Sequence, residues 1–382
     1  MARKNKTLPK DFEEIVQRGD LDELKAVFKK CEINAHKRYG SDTALFFCGL
    51  TPEFVRWFVE QGGDIHYCNN FGNTPLGQQA TYKEYSQEKA QLFKELTGFD
   101  SQIKPDNSSI IELLIELGAE VNTNTSSTPL ILACRSLNPT AVKILLKHGA
   151  DPIGSDKGFN SPLTESLYQF APIPETLEIA KLLLSLGVPI TERMKEYVAV
   201  MGKKFEDNKI EKQSPKYEKY HQYLIERNEP VMNELYRLFG VEPIKPRQLY
   251  DGHSRIIVPD NDDLQATFKQ LWDFLVLPTG QCSTVQGEVI RIGGRIAGEI
   301  YRNGGMNWKA DYQKMLNALI NYFKMGHPLN NEQLNQAEYL KAKVYQGNPN
   351  SYDEAVELSN LAVLWVKANP NPIMINQTDY EY

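Results

Sequence analysis

Along the first half of the chain, apolar residues recur in short blocks that each close on a glycine. The blocks are Val55–Ile65 (VRWFVEQGGDI), Ile111–Asn122 (IELLIELGAEVN), Val142–Pro152 (VKILLKHGADP) and Ala180–Ile190 (AKLLLSLGVPI). Their apolar positions fall at i, i+3 and i+4, the mark of a helix with one buried face. Gly62, Gly118, Gly149 and Gly187 stand just past that face, where a left-handed residue ends a helix. A second string precedes each block: GNTPL at Gly72–Leu76, SSTPL at Ser126–Leu130, FNSPL at Phe159–Leu163, and a weaker SDTAL at Ser41–Leu45. Thr74, Thr128 and Ser161 suit a helix N-cap, and the proline after each suits the first helical position. Thr128 and Ser161 are 33 positions apart, as are Lys10 and Thr43. That spacing makes DFEEIVQRGDLDELKAVFKKCEIN a divergent first unit. A helix pair of this kind cannot bury its apolar face alone and must stack on its neighbours.

The T-P-L strings and the L-L-x-x-G-A-[DE] strings resemble the ankyrin repeat family, over Pro9 to Ile190 and about five units. The family's histidine after T-P-L is absent: Gly77, Ile131 and Thr164 stand there. The third unit is split by an insertion of residues 81–107, in which Lys83–Leu96 has the pattern of an extra helix. The fifth carries a smaller insertion, QFAPIPE. Insertions in a solenoid map to loops on one face, often the binding face. The resemblance implies a concave surface that binds another protein and no catalytic chemistry of its own. The expected contact residues are Phe71, Asn73, Phe159 and Asn160 beside the T-P-L turns, and Tyr82, Tyr85, Phe93 and Phe99 in the insertion. By analogy, an inhibitor or immunity-type role follows as one form of that binding.

After Ile190 the repeat stops. Residues 191–254 form a helical connector, with Thr191 as a cap and EPVMNELYRLFG as a clearly amphipathic stretch. Residues 255–382 form a helical C-terminal domain. The predicted fold is therefore all-α: an ankyrin-repeat solenoid followed by an α-helical domain. One helix stands out within that domain. On a wheel, Val285, Val289, Ile292, Ile296 and Ile300 form an apolar stripe. Glu288, Arg291, Arg295, Glu299 and Arg302 form a charged stripe beside it, and Gly287, Gly294 and Gly298 a third. Each interior glycine costs roughly 1 kcal/mol against alanine, which predicts that the bare side admits a close helix crossing. The charged stripe has two readings. Its members stand at i,i+3 and i,i+4 and form an internal ion ladder. Alternatively, the arginines hold a small anion or nucleotide, and the C-terminal domain is a ligand-binding or enzymatic module delivered by the repeats. The next helix is expected to be capped by Asn307 and stopped by Gly326. The strings TVQGEVIRIGGRI and NGGMNW also resemble an uncharacterised module found behind bacterial ankyrin repeats, which implies a bacterial origin.

Composition narrows the partners. Over 382 residues the net charge is −6, with acidic and basic residues mixed, so no basic stripe for nucleic acid is present. Cys31, Cys48, Cys68, Cys134 and Cys282 are odd in number and contain no C-x-x-C pair, which fits a reducing cytoplasm rather than a disulfide framework. No histidine pairs with another histidine or a cysteine at ligand spacing, so no metal and no cofactor is expected. Asp260, Asp262 and Asp263 cluster in a turn that reads as solvated, with a weak cation site as the alternative. The N-terminal segment is basic but has no apolar core behind it, and no run approaches a membrane span.

Overall fold

The computed structural model describes residues 3–104, 106–125, 127–154, 161–168, 172–210, 214–259, 261–277, 280–375 and 378–380. Among these residues it contains seventeen α-helices and one two-stranded sheet, so the fold is all-α. It divides into two compact units, Met1–Phe205 with Gln213–Ile244, and Glu206–Lys212 with Lys245–Tyr382.

The first unit is a stack of helix pairs. They are α1 (Phe12–Arg18) with α2 (Leu21–Lys30), a 3₁₀ turn (Ala44–Phe46) with α3 (Pro52–Glu60), and α4 (Pro75–Thr81), the inserted α5 (Gln87–Thr97) and α6 (Ser108–Glu116). There follow α7 (Pro129–Arg135) with α8 (Pro139–Lys147), α9 (Pro162–Tyr168) with α10 (Ile173–Ser185), and α11 (Glu192–Lys209) with α12 (Glu218–Phe239). First helices pack on first helices, as α4 on α7 and α7 on α9. Second helices pack on second, as α6 on α8 and α8 on α10. The caps form as their chemistry dictates: the Thr74 and Thr128 hydroxyls accept from the amides of Gly77 and Ile131, and Ser161 from that of Thr164. Thr191 does the same for Met194 at the start of α11, so that helix begins as the first helix of a further pair. Gly62, Gly118, Gly149 and Gly187 all take positive φ.

Polar clasps tie successive pairs together. The Asn34 side chain accepts from Asp64 N at 2.8 Å and donates to Gly62 O, and Asn122 repeats the pattern with Asp151 N and Gly149 O. Deeper, the fully buried Gln79 amide donates to the carbonyls of Leu45 (2.7 Å) and Phe47 (2.8 Å). Asn107 donates to Gln79, and Asn138 donates to the carbonyls of Ala80 and Tyr82. These amides satisfy carbonyls that the short first helices leave open. Near the N-terminus β1 (Asn5–Thr7) and β2 (Cys31–His36) pair as a parallel sheet. The pattern of NKT, three exposed residues, gives no alternation that would announce a strand.

The second unit is built from α13 (Leu264–Leu275), α14 (Val285–Asn303), α15 (Ala310–Phe323), α16 (Asn331–Val344) and α17 (Tyr352–Ala368). α14 is central and packs on α13, α15 and α17. Its apolar stripe, Val285 to Ile300, is buried as expected. The chain after α17 returns along the start of α14: Val285 N donates to Ile373 O and Ile375 N to Ser283 O. Gln286, itself fully buried, holds Asn369 and Asn371 by their carbonyls. Two details differ from expectation. Asn307 does not cap α15; its amide donates to Glu299 at 2.8 Å, and Lys309 stands at the N-cap position. The bare side of α14 is not one contact. A Cβ on Gly294 would lie 2.2 Å from the Trp272 ring and one on Gly287 3.0 Å from Leu275 O, whereas Gly298 has nothing within 4 Å. The close approach is therefore to α13, and it ends before Gly298.

Candidate protein-binding surface

The turns that enter the first helices place large apolar side chains in solvent. Phe71 is 74 % exposed and Tyr39, on the preceding turn, 83 % exposed. The two turns touch, since a Cβ on Gly40 would lie 3.6 Å from the Phe71 ring. They are also braced: Asn69 donates to Asp42 at 2.8 Å and its side chain accepts from the amides of Phe71 and Asn73. Asn73 is thereby held at the base of the turn, half-buried, rather than displayed. A second group lies on the first-helix row. Tyr168 at the end of α9 meets Tyr197 of α11 edge-on at 5.6 Å, and the Arg193 guanidinium lies 5.4 Å from the Tyr197 ring centre. Arg135 of α7 pairs with Glu165 of α9 at 2.8 Å.

The insertion is arranged differently. The Phe93 ring meets Tyr220 of α12 at 5.0 Å, and Phe99 stacks near-parallel on Tyr217 at 5.8 Å with the Lys216 ammonium 4.9 Å from its centre. Lys83 pairs with Glu175 at 2.9 Å. Tyr85 and Lys104 exchange backbone hydrogen bonds that close the base of the insertion. Tyr82 is turned inward: its hydroxyl donates to Phe46 O, and burial pushes it up to about 12. The outward side of α5 carries Gln87, Glu88, Gln91, Lys94 and Glu95. Phe93 and Phe99 thus contact the Tyr217–Tyr220 segment, Tyr82 is turned inward, and Tyr85 bonds Lys89 within the insertion, while Phe99 stays 42 % exposed. Phe159 and Asn160 lie outside the described residues.

Residues 101–194 match the family model described as ankyrin repeats, in three copies. Ankyrin repeats are present in this chain. No curated protein matches it. Ankyrin repeats are generally protein-interaction modules and typically non-catalytic. Arg135 and Tyr168 fall within the matched stretch, and Tyr39, Phe71 and Tyr197 lie outside it. Tyr39, Tyr168, Tyr197 and Arg193 escape a reading of the sequence because no T-P-L string marks them. The signal available for Tyr39 is its position just ahead of Ser41–Leu45, one residue earlier than Phe71 stands ahead of Gly72–Leu76.

The charged side of α14 separates into three environments. Glu288 and Arg291 are 0 % and 1 % exposed, and Arg291 Nε donates to Glu288 at 2.8 Å while its Nη2 pairs with the other carboxylate oxygen. Tyr380 donates to Glu288 at 2.8 Å, and burial beside that carboxylate pushes its hydroxyl well above the ordinary phenol range. Burial pushes the Glu299 carboxyl up, but hydrogen bonds from Asn303, Asn307 and Tyr312 outweigh it and hold it below the usual range. Glu299 therefore holds the loop after α14 instead of extending a ladder to Arg302. Arg302 is exposed and Arg295 half-buried. The arginines do not share one environment, and Arg291 is already committed to a carboxylate.

Cys282 is buried, and burial pushes its thiol up to about 11. His253 is exposed and its ring is bonded to the Asp251 carbonyl. Asp263 caps α13, and Asp260 lies outside the described residues. Among the described residues no three His, Cys, Asp or Glu side chains gather as a metal would require. No helix among them is long and apolar enough to cross a membrane.

Proposed function

We propose that the chain binds a partner protein through the finger turns and first-helix row of its ankyrin repeats. The observation that carries this reading is the pair of touching, braced turns that hold Tyr39 and Phe71 in solvent. Aromatic side chains and arginine dominate the energetics of protein interfaces, and rings fixed by a clasped turn lose little entropy on binding. The Arg135, Arg193, Tyr168 and Tyr197 group offers the same residue types on the helix row. The expected contact set thus shifts from the insertion to the turns, with Phe71 retained. A partner gripped over this area is covered where it is gripped, which is the action of an inhibitor or immunity-type protein.

The test is a pull-down with the intact chain from host lysate, read by mass spectrometry and repeated with Tyr39→Ala/Phe71→Ala. The expected result is a partner recovered near stoichiometrically and lost in the double variant. A partner retained undiminished by a folded double variant would overturn the assignment.

A further inference from the structure

The N-terminal end of the repeat stack contains a groove of about 550 Å³, well apart from Tyr39 and Phe71 in its lining residues. One wall is the face of β1 carrying Asn5 and Thr7, continued by Leu8 and Pro9. The other is a stripe of α2 at helical spacing, Glu23, Ala26, Val27 and Lys30. Each later second helix is covered on this side by the one before it, α3 by α2, α6 by α3 and α8 by α6. On α2, Ala26 and Val27 line the groove across from β1 and stay only half-buried. The groove therefore has an apolar floor.

The rim is basic. Lys10 stands on one side and Lys29 and Lys30 on the other, all exposed, and none makes an ion pair among the described residues. Lys29 and Lys30 complement the α2 C-terminus, but that leaves their ammonium groups in solvent. Of the two acids in the lining, Glu23 is neutralised by Arg18 at 2.6 Å, which leaves Asp11 against three lysines. This local excess of positive charge stands in a chain of net charge −6. The same imbalance disfavours a second copy of the chain as occupant, because two acidic chains repel at long range.

We propose that this groove receives an acidic segment of a partner protein. One or two apolar side chains of the segment rest on Ala26 and Val27, and its carboxylates meet Lys10, Lys29 and Lys30. Its size lies in the range of specific binding sites, roughly 300–1,000 Å³. The experiment pans a phage-displayed library of short random peptides on the intact chain, then measures the winners against wild type, Lys10→Glu/Lys29→Glu/Lys30→Glu and Val27→Asp. The milder triple Lys→Gln variant covers the case in which charge reversal disturbs folding. The expected winners are net acidic with apolar anchors, weaken with added salt, and lose at least about tenfold in affinity in both the charge and floor variants. Winners without acidic bias, or binding unchanged in the folded charge variants, would overturn the proposal. So would sedimentation showing a wild-type dimer that the charge variants abolish, since the occupant would then be a second copy. The Tyr39→Ala/Phe71→Ala variant retains peptide binding, so this test and that of the finger turns fail separately.

Discussion

Removing one member of the Glu288–Arg291 pair should destabilise the second unit far more than removing both. Arg291→Met leaves a carboxylate with no solvent exposure, supported among the described residues by the Tyr380 hydroxyl at 2.8 Å and the Cys282 amide at 3.4 Å. Glu288→Leu leaves the guanidinium buried in its turn. Breaking a buried pair from one side costs roughly 3–5 kcal/mol, because the remaining charge stays desolvated. Replacing both by apolar groups of similar size is often neutral or better. In the double variant Tyr380 still loses its acceptor, which costs about 1–3 kcal/mol for a buried hydroxyl. The double variant is therefore expected within about 1–3 kcal/mol of wild type, against a sum of singles of roughly 6–10 kcal/mol. Urea unfolding followed by tryptophan fluorescence reads this directly, since Trp272, Trp308 and Trp365 belong to the second unit and only Trp57 to the first. Singles that each cost under about 1 kcal/mol would show that water reaches the pair. A double variant that loses the full sum would show that the two charges do not compensate each other.

Three further outcomes follow from single sites. Gly298→Ala should raise stability by up to about 1 kcal/mol, since the site lies inside α14 with nothing within 4 Å; Gly294→Ala should lower it, because its Cβ would meet Trp272, and thermal melts giving both changes the same sign would sink this account of the glycines. Gln79→Leu strands the Leu45 and Phe47 carbonyls and should cost roughly 3 kcal/mol or more in urea unfolding followed by circular dichroism; a loss below about 1 kcal/mol would mean those carbonyls find other partners. The Ser254 hydroxyl and amide and the His253 amide hold the Asp251 carboxyl down at about 2. With the folded value below the unfolded one of about 3.9, its stabilisation is present above roughly pH 4 and is lost as pH falls toward 2. Carboxyl carbon NMR checks the midpoint, and a midpoint near 4 would refute the clamp.

What the sequence discloses is what local chemistry decides. Thr74, Thr128, Ser161 and Thr191 cap helices because a hydroxyl reaches an amide three residues on, whatever the rest of the chain does. The apolar stripe of α14 is legible for the same reason, since 3.6-residue periodicity is local. Its charged side is not. Glu288 is buried because Tyr380, 92 positions away, returns to cover it, and no pattern around residue 288 encodes that return. Likewise α13, not a glycine motif, decides which glycines must lack a side chain. Asn307 has the side chain of a cap, yet Glu299 claims its backbone amide.

The insertion shows how such distant contacts change the behaviour of a repeat array. In a simple stack each unit touches only its neighbours, so stability adds along one dimension. Here α5 departs from the third pair and packs on α12 of the last pair. Phe93 meets Tyr220 edge-on, Phe99 stacks on Tyr217, and Lys83 reaches Glu175 at the start of α10. These contacts span non-adjacent units and turn an open stack into a closed circuit. Opening any pair between the third and the last then strains the insertion as well. Two of the aromatic residues expected to meet a partner, Phe93 and Phe99, are ones that brace the array. The turns braced by Asn69 and Asp42 remain a place where large rings, Tyr39 and Phe71, stand in solvent.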